Sequence, residues 1–229
     1  MNEDFRAAKD LIDKLLADPE AFSRDGLAND LLNYFGHGYP IDKLALLMRH
    51  ENQSVARAGI WIASELPKAA AVLLEDAVVL SHHPDRYVRH YAMDVIILGA
   101  SGANRKQFFN VVLGLDDLDD VVADHSLFLV SRASEEQLAG AVEYFESEKP
   151  TSAHLSLLMA ALQKPLTNPA EVESLLKSED PLRRKYGLVL AERSYKDYPH
   201  LVSIAAASQD ALISNLAQHM LKLHDIDKA

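Results

Sequence analysis

Histidines crowd one turn of the chain, His82-His83-Pro84-Asp85, with His90 and His125 further on. Imidazoles bind zinc, and two on one helix face need i, i+4 spacing. The adjacent pair lacks that spacing, and a helix boundary separates His83 from His90. These side chains read as polar turn and surface residues, so no metal is expected. Two carboxylate pairs, Asp116/Asp117 and Asp119/Asp120, could supply the oxygens a divalent cation requires. They lack the Asx-x-Asx-x-Asx-Gly spacing of a calcium loop. Asp119 and Asp120 fit better as the turn and N-cap of a helix beginning at Val121. No Gly-rich phosphate loop, Gly-x-Ser-x-Gly elbow or His-Glu-x-x-His helix occurs in the sequence. Neither a catalytic residue nor a cofactor is expected, and the chain reads as a binding protein rather than an enzyme.

Charge points the same way. The formal net charge is -11. Between Asp116 and Glu148 stand ten acidic residues (Asp116, Asp117, Asp119, Asp120, Asp124, Glu135, Glu136, Glu143, Glu146, Glu148) and one base, Arg132. Such a field attracts a basic protein and speeds its encounter. It repels nucleic acid, whose binding depends on neutralising phosphates with Lys and Arg. The plainer reading of the same block is a solvated helix face that keeps the protein soluble.

A repeated grammar positions these groups. An Asx residue sits in a turn, a β-branched or equivalent residue follows at +3, and a small residue at +7. The sets are Asn52/Val55/Gly59, Asp85/Val88/Ala92, Asp119/Val122/Ser126, Asp180/Arg183/Gly187 and Asp210/Ile213/Ala217. From Asn52 the steps are 33, 34, 61 and 30 residues, and the long one is close to twice the last. A period near 32 residues with two helices per unit is the mark of an α-solenoid. The predicted hairpins pair Phe5–Leu16 with Ala21–Phe35, Ile41–Arg49 with Ser54–Leu66, and Ala69–His82 with Asp85–Leu98. Arg105–Leu115 then pairs with Val121–Arg132, and a helix capped by Ser134 with Ser152–Leu162. Pro169–Leu176 pairs with Leu182–Arg193, and Tyr198–Ala207 with Ala211–Leu223. Small residues at +7 let helices approach closely, so a bulky side chain at Gly59 or Ala92 should overfill the packing.

Counted from the β-branched position, +2 and +6 on each second helix escape the core and face a concave side. The +2 row is Arg57, His90, Asp124, Lys185, Asn215, and the +6 row is Trp61, Asp94, Phe128, Val189, His219. Trp61, the only tryptophan, and Phe128 are expected to be exposed anchors of the kind that dominate interfaces. Arg57 and Glu65, one turn either side of Trp61, would form its charged rim.

Asp85-x-x-Val88-Arg89-x-x-Ala92-x-x-x-Ile96-x-Leu98-Gly99 resembles the core motif of HEAT repeats. Asn52 to Leu66 and Asp180 to Ala191 follow it more weakly, with Ala56 at the arginine position of the first and Arg183 at the valine position of the second. The resemblance implies an all-α, right-handed α-solenoid of about seven HEAT-like helical hairpins. It would form a single domain over 1–229 with a divergent N-terminal cap over about 1–36. It also implies a scaffold that holds a partner protein on its concave face. The block from Gly38-Tyr39-Pro40-Ile41-Asp42-Lys43-Leu44 to Gly59-Ile60-Trp61-Ile62-Ala63-Ser64-Glu65-Leu66 is similar to one in small, stand-alone bacterial HEAT-like proteins. Some of these confer immunity to toxins. The function this resemblance implies is an immunity or antitoxin-like inhibitor that neutralises a basic cognate toxin. HEAT-like alkylpurine DNA glycosylases are an alternative, with Asp94 or Asp124 catalytic near Trp61 and Phe128, but the net charge of -11 argues against them. An assembly or adaptor subunit of a larger complex, or a lyase-like chromophore chaperone, is the third reading.

The 229 residues are 48% hydrophobic, with no apolar run near the roughly 18 residues of a membrane span. The opening Met1-Asn2-Glu3-Asp4-Phe5 lacks the basic start of a secretory signal. Zero cysteines exclude disulfides and thiolate metal sites. A cytoplasmic protein with no membrane partner is expected.

Overall fold

The computed structural model describes residues 3–163 and 168–226. Positions 1–2, 164–167 and 227–229 of the expected 1–229 domain, including Met1 and Asn2 of the start, lie outside them. Among the described residues the protein is all-α, with no strand. No helix is long and apolar enough to cross a membrane. The backbone falls into two compact units, Met1–Ala100 and Ser101–Ala229.

In the first unit α1 (Glu3–Ala17) precedes α2 (Pro19–Arg24) and α3 (Leu27–Gly36). Asp18 caps α2 by accepting the Ala21 N–H, and Pro19 opens its first turn. The sequence pattern ran α2 and α3 together as one helix from Ala21 to Phe35. The structure divides them at Gly26, whose φ of 72° is left-handed and therefore incompatible with a continuous helix. Two hairpins follow: α4 (Ile41–Met48) with α5 (Gln53–Ser64), and α6 (Ala70–Leu80) with α7 (Arg86–Gly99), with α5 packed against α7. Val55, Ile60, Ile62, Val88, Val95 and Ile96 are buried in the core of this unit. Gly59 permits the closeness of the first hairpin: a Cβ there would lie 2.8 Å from the Met48 backbone nitrogen.

The second unit starts irregularly. Arg105–Leu115, expected as one helix, is a 3-10 segment (Gly102–Phe108), the short α8 (Phe109–Leu113) and a second 3-10 turn (Gly114–Asp116). Then come α9 (Asp120–Arg132), α10 (Glu135–Glu148), α11 (Ala153–Leu162), α12 (Pro169–Leu176), α13 (Pro181–Arg193), α14 (His200–Ala206) and α15 (Ala211–Ile226). Ser134 and Gln137 form a reciprocal capping box at the start of α10. That helix packs on the Gly102–Phe108 segment and on α8 as well as on α11, so the expected pairing of α10 with α11 is one of several contacts it makes. The hairpins α12/α13 and α14/α15 are regular. Gly187 repeats the role of Gly59, since a Cβ would lie 2.8 Å from the Leu176 nitrogen.

Every Asx of the grammar caps its helix. Asn52, Asp85, Asp119, Asp180 and Asp210 accept the N–H groups of Ser54, Tyr87, Val121, Leu182 and Leu212 at 2.8–3.1 Å. Of the +7 residues, Ala92, Ser126 and Ala217 are 0% exposed. Gly59→Val should lower unfolding free energy by about 1–3 kcal/mol or more through overpacking against backbone. Gly36→Ala, with nothing within 4 Å of the new methyl, should leave it equal or slightly higher. Urea denaturation of both variants checks the pair.

Candidate interaction surface

In the first unit α5 carries Arg57, Trp61 and Glu65 at successive turns, with Glu65 as its C-cap residue. Arg57 is half engaged. Its Nη2 donates to the Asp85 carboxylate at the start of α7, and its guanidinium lies 5.1 Å from the centroid of the Tyr87 ring. Arg86 covers the same ring at 4.8 Å. Burial pushes the Asp85 carboxyl up, but Arg57 and the Tyr87 and Val88 N–H groups more than offset it, holding the group below its usual value. Arg57 therefore ties two hairpins together before it can touch any partner.

Trp61 is half-buried rather than fully exposed, and α7 brings the half-buried His90 and Asp94 to its own surface. The His90 ring meets Tyr91 edge-on at 5.2 Å. The Tyr91 hydroxyl is pushed up by burial first and then by the Asp94 charge, with Glu65 adding to it.

In the second unit the acidic block divides by role. Asp116 accepts from His154 Nε2 at 2.9 Å, while His154 Nδ1 lies 3.0 Å from the Tyr186 hydroxyl. With Tyr186 donating to Nδ1 and Nε2–H donating to Asp116, both ring nitrogens are satisfied. His154 is 4% exposed and Tyr186 0%. The His154 bond holds Asp116 below the usual carboxylate range against the effect of burial. Burial, helped by Asp116, pushes the Tyr186 hydroxyl well up. Asp117 accepts the Asp119 N–H at 2.9 Å, and Asp119 caps α9. Glu143 receives Arg105 at 2.6 Å, with Lys106 3.7 Å away, so two bases just outside the block neutralise part of it. Asp120, Glu146 and Glu148 are exposed and make no ion pair among the described residues.

Asp124 differs from all of these. It is half-buried on α9, and its carboxyl makes no hydrogen bond among the described residues. Burial pushes it above the usual value, opposed by His125 and His219. One turn on, the half-buried Phe128 ring lies 6.1 Å from the His219 ring of α15 and 5.2 Å from the Arg132 guanidinium. Arg132 in turn donates to Glu192 of α13 at 3.3 Å, and the other Glu192 oxygen meets His224 Nε2 at 2.9 Å. His224 stacks on Tyr195 at 3.6 Å.

The +2 and +6 rows thus keep Arg57, Trp61, His90, Asp94, Asp124 and Phe128 out of the full core, but Val189 is 0% exposed. Lys185 donates to the Leu115 carbonyl. In comparisons with known proteins, no family model matches the chain and no curated protein matches its sequence.

Sequence reasoning missed His154, Tyr186, Glu192 and His224. One signal was available: His154 shares the i, i+4, i+7 phase of Leu158 and Ala161, all buried, and a titratable side chain in an apolar phase needs a partner. Tyr186→Phe should cost about 1–3 kcal/mol by stranding His154 Nδ1, read from denaturation at pH 7. Asp85 sits below its unfolded value, so its stabilisation is complete above about pH 4 and is lost as pH falls through the folded value. The deficit of Asp85→Asn relative to the parent should therefore be present at pH 7 and shrink progressively below about pH 4 in acid-denaturation series.

Proposed function

We propose that the chain is a HEAT-like α-solenoid scaffold that binds and neutralises a basic protein, in the manner of an immunity protein with its toxin. The observation that carries this reading is the pairing of acidic excess with half-exposed aromatic anchors. Trp61 and Phe128 stand on helices whose other faces are committed to the core. Binding hot spots are built from such aromatic groups, and a rim of charge sets partner choice and encounter rate. Capped helices and glycine-mediated approaches provide rigid elements on which such a surface can be held.

A binding role also accounts for two titratable clusters of the second unit. His154 and Tyr186 are buried against internal partners, and Glu192 is occupied by Arg132 and His224. Their hydrogen bonds hold the fold together.

The test is capture of partners by tagged protein from its native cells at low and moderate salt, identified by mass spectrometry. One basic, nuclease-like or pore-forming protein is expected. Reversing Asp120, Glu146 and Glu148 to lysine should slow its association and flatten the salt dependence. These three are preferable to Asp117 or Asp119, whose loss would damage the start of α9. Recovery of nucleic acid, or of a large housekeeping assembly, would overturn the reading. Trp61→Ala should weaken the complex by about tenfold or more. It should lower the thermal midpoint less than Ile60→Ala, a neighbour that is 0% exposed.

A further inference from the structure

We propose that Asp124 and the Phe128 ring form a receptor for a single cationic side chain, an arginine or lysine, of the basic protein partner. The inference rests on the scaffold reading above and gives it a chemical centre. Among the described residues no donor bonds to the half-buried Asp124 carboxyl, and the pull of His125 and His219 does not fully offset its burial. A guanidinium or ammonium group supplies what is missing: charge, donors and a face that stacks on an aromatic ring. The protein already displays that last contact, since Arg132 lies 5.2 Å from the centroid of Phe128. Arg132 is itself paired with Glu192, so its charge is already answered there.

The groups around the site agree in sign. His125 on α9 and His219 on α15 are the titratable neighbours that act on Asp124, and both favour its ionised form. On α13, Lys185 is drawn away to the Leu115 carbonyl and toward Asp116. An incoming cation would meet the Asp124 carboxylate, the Phe128 ring and the polar edge of His219. A neutral or acidic side chain would gain none of these contacts.

The site also costs the free protein stability, as functional groups held against their solvation preference do. A carboxyl raised on folding stabilises the fold only while protonated, below about pH 4, and opposes it as pH rises through the folded value. Asp124→Asn should therefore fold with an unchanged or higher thermal midpoint, unlike Asp85→Asn.

The experiment titrates full-length protein with N-acetyl-arginine methylamide, with its neutral citrulline counterpart as control, following the His219 and Phe128 ring resonances by NMR. Saturable shifts are expected with the arginine probe, about tenfold weaker or absent in Asp124→Asn, and absent with citrulline in both proteins. Equal response to citrulline, unchanged response in Asp124→Asn, or no saturable shift overturns the receptor. The affinity of Asp124→Asn for the captured basic protein separates this from the scaffold reading. If that affinity matches the parent's, the receptor fails and the scaffold stands. If the arginine probe binds through Asp124 but no basic protein is captured, the scaffold reading fails and the cation site remains.

Discussion

Each second helix of the regular hairpins begins at an Asx side chain, and at two of them that side chain answers two demands at once. One oxygen accepts the orphan N–H groups of the first turn. At Asp85 and Asp210 the second oxygen also receives an arginine from the hairpin before. Asp85 takes Tyr87 and Val88 on one side and Arg57 of α5 on the other. In the second unit Asp210 takes Leu212 and Ile213, then Arg184 of α13 at 2.8 Å. Arg184 also donates to the Ser178 and Glu179 carbonyls of its own turn. Cap, turn and neighbour are thereby joined in one network, and local helix initiation becomes inseparable from the stacking of adjacent hairpins. Asp85 and Asp210 are both held below their usual range, although burial alone would push them up.

The fold was legible wherever its determinants are local. An Asx followed by a helical apolar stripe defines a start from a few consecutive residues, and all five such starts are N-caps in the structure. Glycine at +7 was legible for the same reason, because only the absence of a Cβ allows the approach of Gly59 to Met48 and of Gly187 to Leu176. Two stretches were misread because helical periodicity continues across a change of backbone. Gly26 breaks α2 from α3 through one left-handed φ, and an isolated glycine within a periodic pattern carries no such message by itself. Gly102–Asp116 keeps helical spacing of its apolar residues, but its turns are tightened where α10 lies on the Arg105 backbone opposite Gly140.

The candidate site was less legible than the fold because its determining contacts are distant in sequence. Arg57 lies outside the full core, yet its guanidinium is shared with Asp85, and no spacing rule links residues 57 and 85 beyond the repeat period itself. The acidic block, read as a single field, separates into carboxylates with different work. Asp116 anchors His154, Asp117 and Asp119 build a turn and cap, and Glu143 is neutralised from Arg105 and Lys106. Composition counts charges and cannot see which are answered internally.

That division bears on how an acidic surface can coexist with a stable fold. Like charges crowded into one stretch repel, and a chain keeps them either by giving each a donor or by leaving it in water. Asp116 and Glu143 follow the first course and are lowered by His154 and Arg105. Asp120, Glu146 and Glu148 follow the second. Asp124 follows neither, being half-buried and raised by that burial. A substitution to asparagine would remove the desolvated charge while keeping nearly the same shape. Packing therefore gives no reason for a carboxylate at that position. What a carboxylate adds there over asparagine is charge, and the groups that already answer to it are the His125 and His219 rings, the latter 6.1 Å from Phe128.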